Sequence, residues 1–440
     1  MSGLSRTDGP PERRTLQATD SRLRGLSPGR VVLDNGAVFI VKDTHTTPAV
    51  AINLAMRAGS ICDPIDAPGA TWLLSRTIDR GTAVSSASDI AEDLDRRGIS
   101  LTITVTRHLF SLVCTCLAED LEPVFELLGD ILMAPSIPED EIATRKGEVI
   151  TAIRQDEDNP AVRATETLMA LLYPNGHPYG RRTKGSIDGV GSLTRERLAR
   201  LHADRFAPTE LTAVVVGDVE VPRAVETAAR VFGGWRAASP QAITLASPAP
   251  VTERRRLVIP MMNKAQVDVA YGFATLRRAD PAYYAFWLMN HVFGQYALGG
   301  RLGDSIRERQ GMAYYVSSWQ EANVVEGPLV IRAGVSAANV DRALTSIDEE
   351  VTRLVREGVT QKELDDSRRF LIGAMPRALE TNASIATFLQ QAEFFGLGHD
   401  YDVQLPDLLR AVTVDEVHDV ARRTLDAERS TLVIAGPYEE

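Results

Sequence analysis

A long internal repeat constrains the fold of this chain more than any other feature. Residues 193–217 and residues 412–436 each contain a Thr that can cap a helix, then the helix, then an apolar strand that ends in Gly. The offset is 219 residues from Thr194 to Thr413, and again 219 residues from Gly217 to Gly436. Solenoid repeats are about 20–50 residues long, so an offset of this size indicates two copies of one domain.

Apolar segments between turn signals predict several strands in each copy. Asn35-Gly36 between two apolar runs is typical of a tight hairpin, because Asn-Gly readily adopts positive φ. Helices are expected to begin at Ser136 and Thr360, each with a Glu three residues later, and to cover residues 281–293 and 340–355. The expected strands are residues 49–56, 99–105, 109–116, 211–216, 256–259, 267–273, 314–319 and 329–335. We therefore predict an α+β fold with two homologous domains in tandem, each a mainly antiparallel sheet covered by helices.

The domain limits follow from changes in composition along the chain. Residues 1–30 are rich in Ser, Pro and Arg and are expected to form a disordered tail. Residues 31–235 are predicted to form the first domain and residues 254–440 the second. A linker is expected over residues 236–253, where several prolines stand among small residues.

Charge and hydropathy exclude some classes of function. The 59 acidic residues outnumber the 48 basic ones, which argues against a protein that coats nucleic acid. No apolar run approaches the roughly 18 residues of a membrane span. Three cysteines cannot form a disulfide framework, so a reducing compartment and a cytoplasmic location are expected. An organellar presequence fits the acidic, proline-containing start poorly.

The common catalytic motifs are missing from the sequence. None of the seven histidines lies three to five residues from another, so no helix can present two imidazoles to one metal. Neither a nucleophile elbow nor a phosphate-binding loop occurs. The chemistry of the residues alone therefore does not predict a self-sufficient enzyme.

Several segments in a common order closely resemble the pitrilysin/insulinase-type inverzincin metallopeptidases, which include mitochondrial processing peptidase and the respiratory-complex core proteins. The resemblance covers about residues 30–437, and it implies the duplicated metallopeptidase fold. The segments that carry it are Arg57-Ala58-Gly59-Ser60, Pro68-Gly69-Ala70-Thr71, His177-Pro178-Tyr179-Gly180, Val214-Val215-Val216-Gly217-Asp218, Gly300-Arg301-Leu302, Ile306-Arg307-Glu308 and Gly311-Met312-Ala313-Tyr314.

The sequence departs from this family at the zinc site. The resemblance places the family's H-x-x-E-H motif on Trp72–Arg76, so that Trp72 and Arg76 replace the two zinc histidines and Ser75 replaces the glutamate base. Ala152, or its neighbour Thr151, occupies the place of the further glutamate ligand. The resemblance therefore implies no catalytic residue and no bound metal in this chain, with zinc expected in a partner subunit.

A second part of the family's site is retained. Arg301 and Tyr314 match the pair that, in the family, binds the peptide beside the scissile bond. A guanidinium and a phenol can donate hydrogen bonds to peptide carbonyls. Without the resemblance, the two would be a surface charge and a core tyrosine. Tyr315 is the neighbouring alternative and should face the opposite side of the strand, so that Tyr315→Phe is expected to be nearly silent.

Three functions remain open at this point. The first is a substrate-binding subunit of a heterodimeric zinc peptidase, paired with a zinc-bearing homologue and acting on peptides or small unfolded proteins. The second is a structural protein like the respiratory-complex core proteins. The third is a peptide-binding homodimer without activity. The short segment Gly294–Gly300 lacks the long glycine-rich loop of presequence-binding subunits, so a presequence receptor is less favoured.

Overall fold

A computed structural model describes residues 25–296 and 299–439 of the chain. The strands are β1 (Gly29–Val32), β2 (Val38–Asp43), β3 (Ala49–Met56), β4 (Thr102–Val105), β5 (Phe110–Leu117), β6 (Leu211–Gly217), β7 (Arg255–Pro260), β8 (Val267–Ala274), β9 (Ala313–Gln320), β10 (Pro328–Val335) and β11 (Thr431–Gly436). The α-helices are α1 (Ala70–Thr77), α2 (Ala87–Arg96), α3 (Leu121–Met133), α4 (Glu139–Glu157), α5 (Pro160–Leu172), α6 (Ile187–Gly191), α7 (Arg195–Arg205), α8 (Val221–Phe232), α9 (Tyr283–Asn290), α10 (Val340–Glu357), α11 (Gln361–Ala378), α12 (Asn382–Phe394), α13 (Tyr401–Ala411) and α14 (Val414–Thr424).

The two sheets repeat one strand order. The first sheet is ordered β1-β2-β6-β3-β5-β4 and the second β7-β11-β8-β10-β9. In each sheet one pair is parallel, β2 with β6 and β7 with β11, and the other pairs are antiparallel. Strand β1 is the addition that distinguishes the first sheet. The predicted duplicated α+β fold is therefore confirmed.

The residues that define the sequence repeat have equivalent structural roles. Thr194 and Thr413 are the N-caps of α7 and α14, and each side chain accepts a hydrogen bond from the third residue of its helix. Gly217 and Gly436 end β6 and β11 with φ angles of 151° and 143°. A Cβ atom on either glycine would lie within 2.7 Å of a backbone oxygen of the adjacent strand segment, so only glycine fits.

Each half of the molecule places one helix on the sheet of the other half. Helix α5 packs on the second sheet, where Leu168 lies in one apolar cluster with Ala270 and Val433. Helix α12 packs on the first sheet, where Leu389 lies in one cluster with Val214. Burying apolar area is the main stabilising term in folding, so this exchange joins the halves firmly.

The predicted domain limits can be compared with the described residues. Residues 1–24 of the expected tail lie outside them, and β1 already begins at Gly29, so the predicted end of the tail at residue 30 comes too late. The Leu26 N–H donates to Asp402, which fixes this early segment against α13. Residues 236–253 contain no helix or strand, whereas the remaining domain limits stay predictions. Within the described ranges, every helix is too short or too polar to cross a membrane.

Two predicted helices differ in detail. Helix α4 begins at Glu139 with Pro138 as its N-cap, so the cap predicted at Ser136 is wrong. Ile137 has a positive φ of 48°, which turns the chain between Ser136 and the helix. The helix expected over residues 281–293 is α9, which widens after Asn290 into a π-helical turn at His291–Gln295.

Candidate functional site

Helix α1 occupies the place where the resemblance puts the zinc motif, and its start is fixed by a buried carboxylate. The Gly69 and Thr71 backbone N–H groups and the Thr71 hydroxyl donate to Asp63 at 2.6–2.7 Å. Gly69 has a φ of 97°, and a Cβ there would lie 2.5 Å from the Lys184 carbonyl oxygen. These contacts fix the helix independently of the side chains on its outer face.

Only Trp72 and Arg76 of α1 are partly accessible, and all other residues of this helix are buried. They stand four residues apart, so they share one face. The Arg76 guanidinium carbon lies 4.8 Å from the centroid of the Trp72 ring, which is a cation–π contact. Ser75 is buried, and its hydroxyl donates to the Trp72 carbonyl at 2.7 Å.

Helix α4 packs against α1 and carries the fourth position of the expected zinc site. Ala152 is partly exposed there, and the exposed Thr151 donates its hydroxyl to the Gly147 carbonyl at 2.8 Å. Zinc in proteins is bound by thiolate, imidazole and carboxylate groups. Across residues 25–296 and 299–439, no three His, Cys, Asp or Glu side chains come together as a metal site. An indole, a hydroxyl, a guanidinium and a methyl group do not fit a zinc ion.

In the second half, the Arg301 side chain joins two helices. Its Nε and Nη2 donate to the Glu363 carboxylate at 2.7 and 2.8 Å, and Nη2 also donates to the Gly358 carbonyl at 2.9 Å. Only 9% of the side chain is exposed. Gly358 ends α10, and Glu363 belongs to the capping box of Thr360 at the start of α11. The Arg301 side chain is therefore mostly buried between α10 and α11, and is not the surface charge that its residue type alone would suggest.

The Glu363 carboxylate is held in its charged form. Burial would raise its pKa, but the Arg301 guanidinium and the Thr360 donors lower the pKa to about 2. The capping box of Glu363 is evident in the sequence, whereas its contact with Arg301 is not. The two residues stand 62 positions apart, and no local pattern connects them.

Tyr314 and Tyr315 lie on β9 and face opposite sides, as predicted. Tyr314 is 65% exposed, and β9 is an edge strand that pairs with β10 alone. The Tyr315 hydroxyl donates to the buried Asp268, and burial raises the pKa of Tyr315 to about 12. No hydrogen bond joins Tyr314 to Arg301 among the described residues. Arg307 and Arg309 are exposed arginines of the preceding segment, with 44% and 57% of their side chains exposed.

A cavity of about 580 Å³ opens beside Arg301. One wall holds His291, whose Nδ1 is 2.7 Å from the Ser367 hydroxyl and whose Nε2 has no hydrogen-bond partner. Burial lowers the pKa of His291 to about 4, which makes it a weak general base. Nothing orients the imidazole from its Nε2 side, so this pair does not form a nucleophile–base system. Tyr314 does not line the cavity.

The loop after β4 is tied to the second half by charged and polar contacts. Arg107 forms an ion pair with Glu321 at 2.7 Å. His108 Nε2 lies 2.7 Å from the Tyr179 hydroxyl, and burial together with the Arg107 charge lowers the pKa of His108 to about 4. This edge of the first sheet is therefore held in a fixed position relative to the second half.

Two family models match the chain in sequence. Residues 38–184 match "Insulinase (Peptidase family M16)", and residues 192–371 match "Peptidase M16 inactive domain". The "Uncharacterized zinc protease YmxG" of Bacillus subtilis is 24% identical over 92% of this chain and 98% of its own length. The "Non-peptidase homolog YmxG" of Helicobacter pylori is 22% identical over 90% of both chains.

Solved structures share the whole fold. A peptidase M16 inactive domain from Pseudomonas fluorescens is 26% identical, with a TM-score of 0.86 over 94% of this chain and 98% of that chain. A protease from Helicobacter pylori has the same TM-score of 0.86 over 94% of this chain and 100% of that chain. Its identity is 17%, so it supports the fold alone.

Proposed function

Since this chain belongs to the insulinase family of M16 peptidases, we propose that it is the non-catalytic, peptide-binding subunit of a two-chain zinc peptidase. The observation that carries the proposal is the accessible face of α1, which presents Trp72 and Arg76 in place of metal ligands. The name of the Helicobacter pylori relative, a non-peptidase homolog, agrees with a role outside catalysis.

The metal ion and the general base would come from a partner chain of the same family. The described residues include no donor set that fits zinc, and in this proposal the chain contributes binding and positioning to the reaction. Peptides or small unfolded proteins are the substrates that suit such a pair, because an added strand is recognised through its backbone with loose side-chain preference.

Tyr314 is the residue that suits substrate contact best in this half. Its hydroxyl is exposed on an edge strand, where it can donate to a peptide carbonyl or to a developing oxyanion. Arg307 is another accessible donor of the preceding segment. Arg301 has one unpartnered nitrogen, Nη1, but its other contacts fix the ends of α10 and α11. We therefore assign Arg301 to positioning this segment.

The test is co-purification of the tagged full chain from its source, followed by native mass measurement and a peptidase assay. We expect a heterodimer with a zinc-bearing homologue, and Tyr314→Phe should lower kcat by about 10²-fold without changing assembly. Tyr296→Phe is the matched control, since Tyr296 is an exposed tyrosine outside β9. A complex that contains no zinc-bearing homologue, or a pair fully active with Tyr314→Phe, would favour a scaffold.

A further inference from the structure

We infer that the accessible face of α1 binds a carboxylate group of the peptide, through Arg76 stacked on Trp72. The inference rests on the proposed peptide-binding function and adds to it the chemistry that the bound peptide must carry. The carboxylate can belong to the C-terminus of the peptide or to an acidic side chain, and both offer the same planar pair of oxygens.

The stacked geometry prepares Arg76 for such a ligand. A guanidinium lying over an aromatic ring uses its face, whereas its N–H donors point outward in the plane of the group. The ring contact also restricts the side chain, so less conformational entropy is lost when a ligand binds. An arginine with a free planar edge matches a carboxylate through two parallel hydrogen bonds.

The positive charge of Arg76 has no counterion in the described part of the chain. Among the described residues no carboxylate forms an ion pair with it, and one acid just after α1 and two acids on α4 are paired with other arginines. Asp79 pairs with Arg80 at 3.2 Å, and Glu141 and Glu148 both pair with Arg145. The site is therefore a single uncompensated cation on an otherwise buried helix.

The position of α1 places this cation near a sheet edge. Helix α1 packs against β4, and β4 is an edge strand that pairs with β5 alone. An extended peptide that pairs with the free edge of β4 would run beside α1. A carboxylate on that peptide could then reach Arg76, whereas a divalent metal ion would be repelled from it.

The test is a binding titration of the full chain with a short, unstructured, fluorescein-labelled peptide. The peptide is made in versions with a free or amidated C-terminus, and with Asp and Glu residues kept or replaced by Asn and Gln. The wild type is compared with Arg76→Ala, with Arg76→Lys and with Arg377→Ala. Arg377 is an exposed arginine on α11, so its removal controls for the loss of one positive charge.

The wild type should bind at least one carboxylate-bearing version about tenfold or more tightly than the fully neutralised version, because charge-assisted hydrogen bonds are lost. Arg76→Ala should remove this difference, Arg76→Lys should restore part of it, and Arg377→Ala should leave it unchanged. If amidation weakens binding, the carboxylate is that of the C-terminus. If the Asn and Gln replacements weaken binding, the carboxylate belongs to an acidic side chain.

If the wild type binds all peptide versions equally, the carboxylate site is wrong but the peptide-binding function still stands. This comparison uses the wild type alone, so it does not depend on whether a variant folds. A preference that survives in Arg76→Ala would also overturn the carboxylate site. Failure of the wild type to bind any version would contradict the proposed function itself.

Discussion

Two segments contain residues that the resemblance aligns with the family's site: the outer face of α1 in the first half and strand β9 in the second half. At α1, where the resemblance places the zinc motif, Trp72 and Arg76 occupy the outer face, and Asp63 and Gly69 fix the helix in place. At β9, Tyr314 remains exposed on an edge strand. The position of α1 and the chemistry of its outer face are therefore determined by separate residues.

In the second half, Arg301 and Tyr314 differ in how far their side chains are exposed. The resemblance assigns Arg301 and Tyr314 to one substrate-binding pair, but Arg301 is nearly buried in an ion pair whereas Tyr314 faces the solvent. A matched residue type therefore does not by itself distinguish substrate contact from support of the fold. Mutations can separate these roles, because the two kinds of residue affect stability very differently.

The largest effect is expected for Arg301→Ala. The change removes the partner of Glu363 and a donor to the Gly358 carbonyl, so we expect the free energy of unfolding to fall by about 2–3 kcal/mol. Urea denaturation measures this. Arg307→Ala in the same segment is the control and should change stability by less than about 0.5 kcal/mol. Equal stability of both variants would remove the distinction between Arg301 and its exposed neighbours.

A smaller effect is expected for Tyr315→Phe. The structure places the Tyr315 hydroxyl on Asp268, so its loss leaves a buried carboxylate with one donor fewer and should cost about 1–2 kcal/mol. Tyr315→Phe is therefore expected to lower the stability of the fold, and not to be nearly silent as the sequence alone suggests. Tyr314→Phe should be within about 0.5 kcal/mol of the wild type in the same denaturation experiment. The reverse order of the two variants would mean that the sides of β9 are assigned wrongly.

The smallest effect concerns pH and two buried histidines, His108 between the halves and His291 in the second half. Both have a folded-state pKa of about 4, below the ordinary value of 6.5. The unfolded chain therefore takes up the proton first as pH falls, so stability is complete above about pH 6.5 and is lost toward pH 4. Each histidine should account for about 1 kcal/mol between pH 6.5 and 5.5.

Denaturation midpoints of His108→Gln and His291→Gln across this pH range test the assignment. Each variant should show a shallower loss on the acid side than the wild type. His45→Gln is the control, because a hydrogen bond to Asp218 raises the pKa of the exposed His45. Protonation of His45 favours the folded state, so its replacement should leave the acid-side loss in place. An unchanged slope in both buried-histidine variants would refute the assignment.

The sequence predicts the duplicated fold well because its signals are local. Thr194 and Thr413 cap equivalent helices, and the capping box of Thr360 and Glu363 forms as expected. Gly358 ends α10 with a φ of 68°, as a glycine after a helix should. The cap at Ser136 failed because a motif of two residues does not reveal the turn at Ile137 between them.

Several contacts of the candidate site could not be predicted from the sequence, because they join residues that are far apart in the chain. The pairs Arg301–Glu363 and Arg107–Glu321 join residues 62 and 214 positions apart. The exchange of α5 and α12 between the sheets likewise leaves no periodic pattern in the sequence. By contrast, the stacking of Arg76 on Trp72 could have been inferred from their spacing of four residues on one helix face.

Elemental analysis of the purified full chain, after dialysis against zinc-containing buffer, measures whether α1 and α4 form a metal site. We predict no stoichiometric zinc and no peptidase activity from the isolated chain, because Trp72, Ser75, Arg76 and Ala152 offer no suitable donor set. About one tightly bound zinc per chain, lost when Trp72 or Arg76 is replaced, would show that α1 does hold a metal ion.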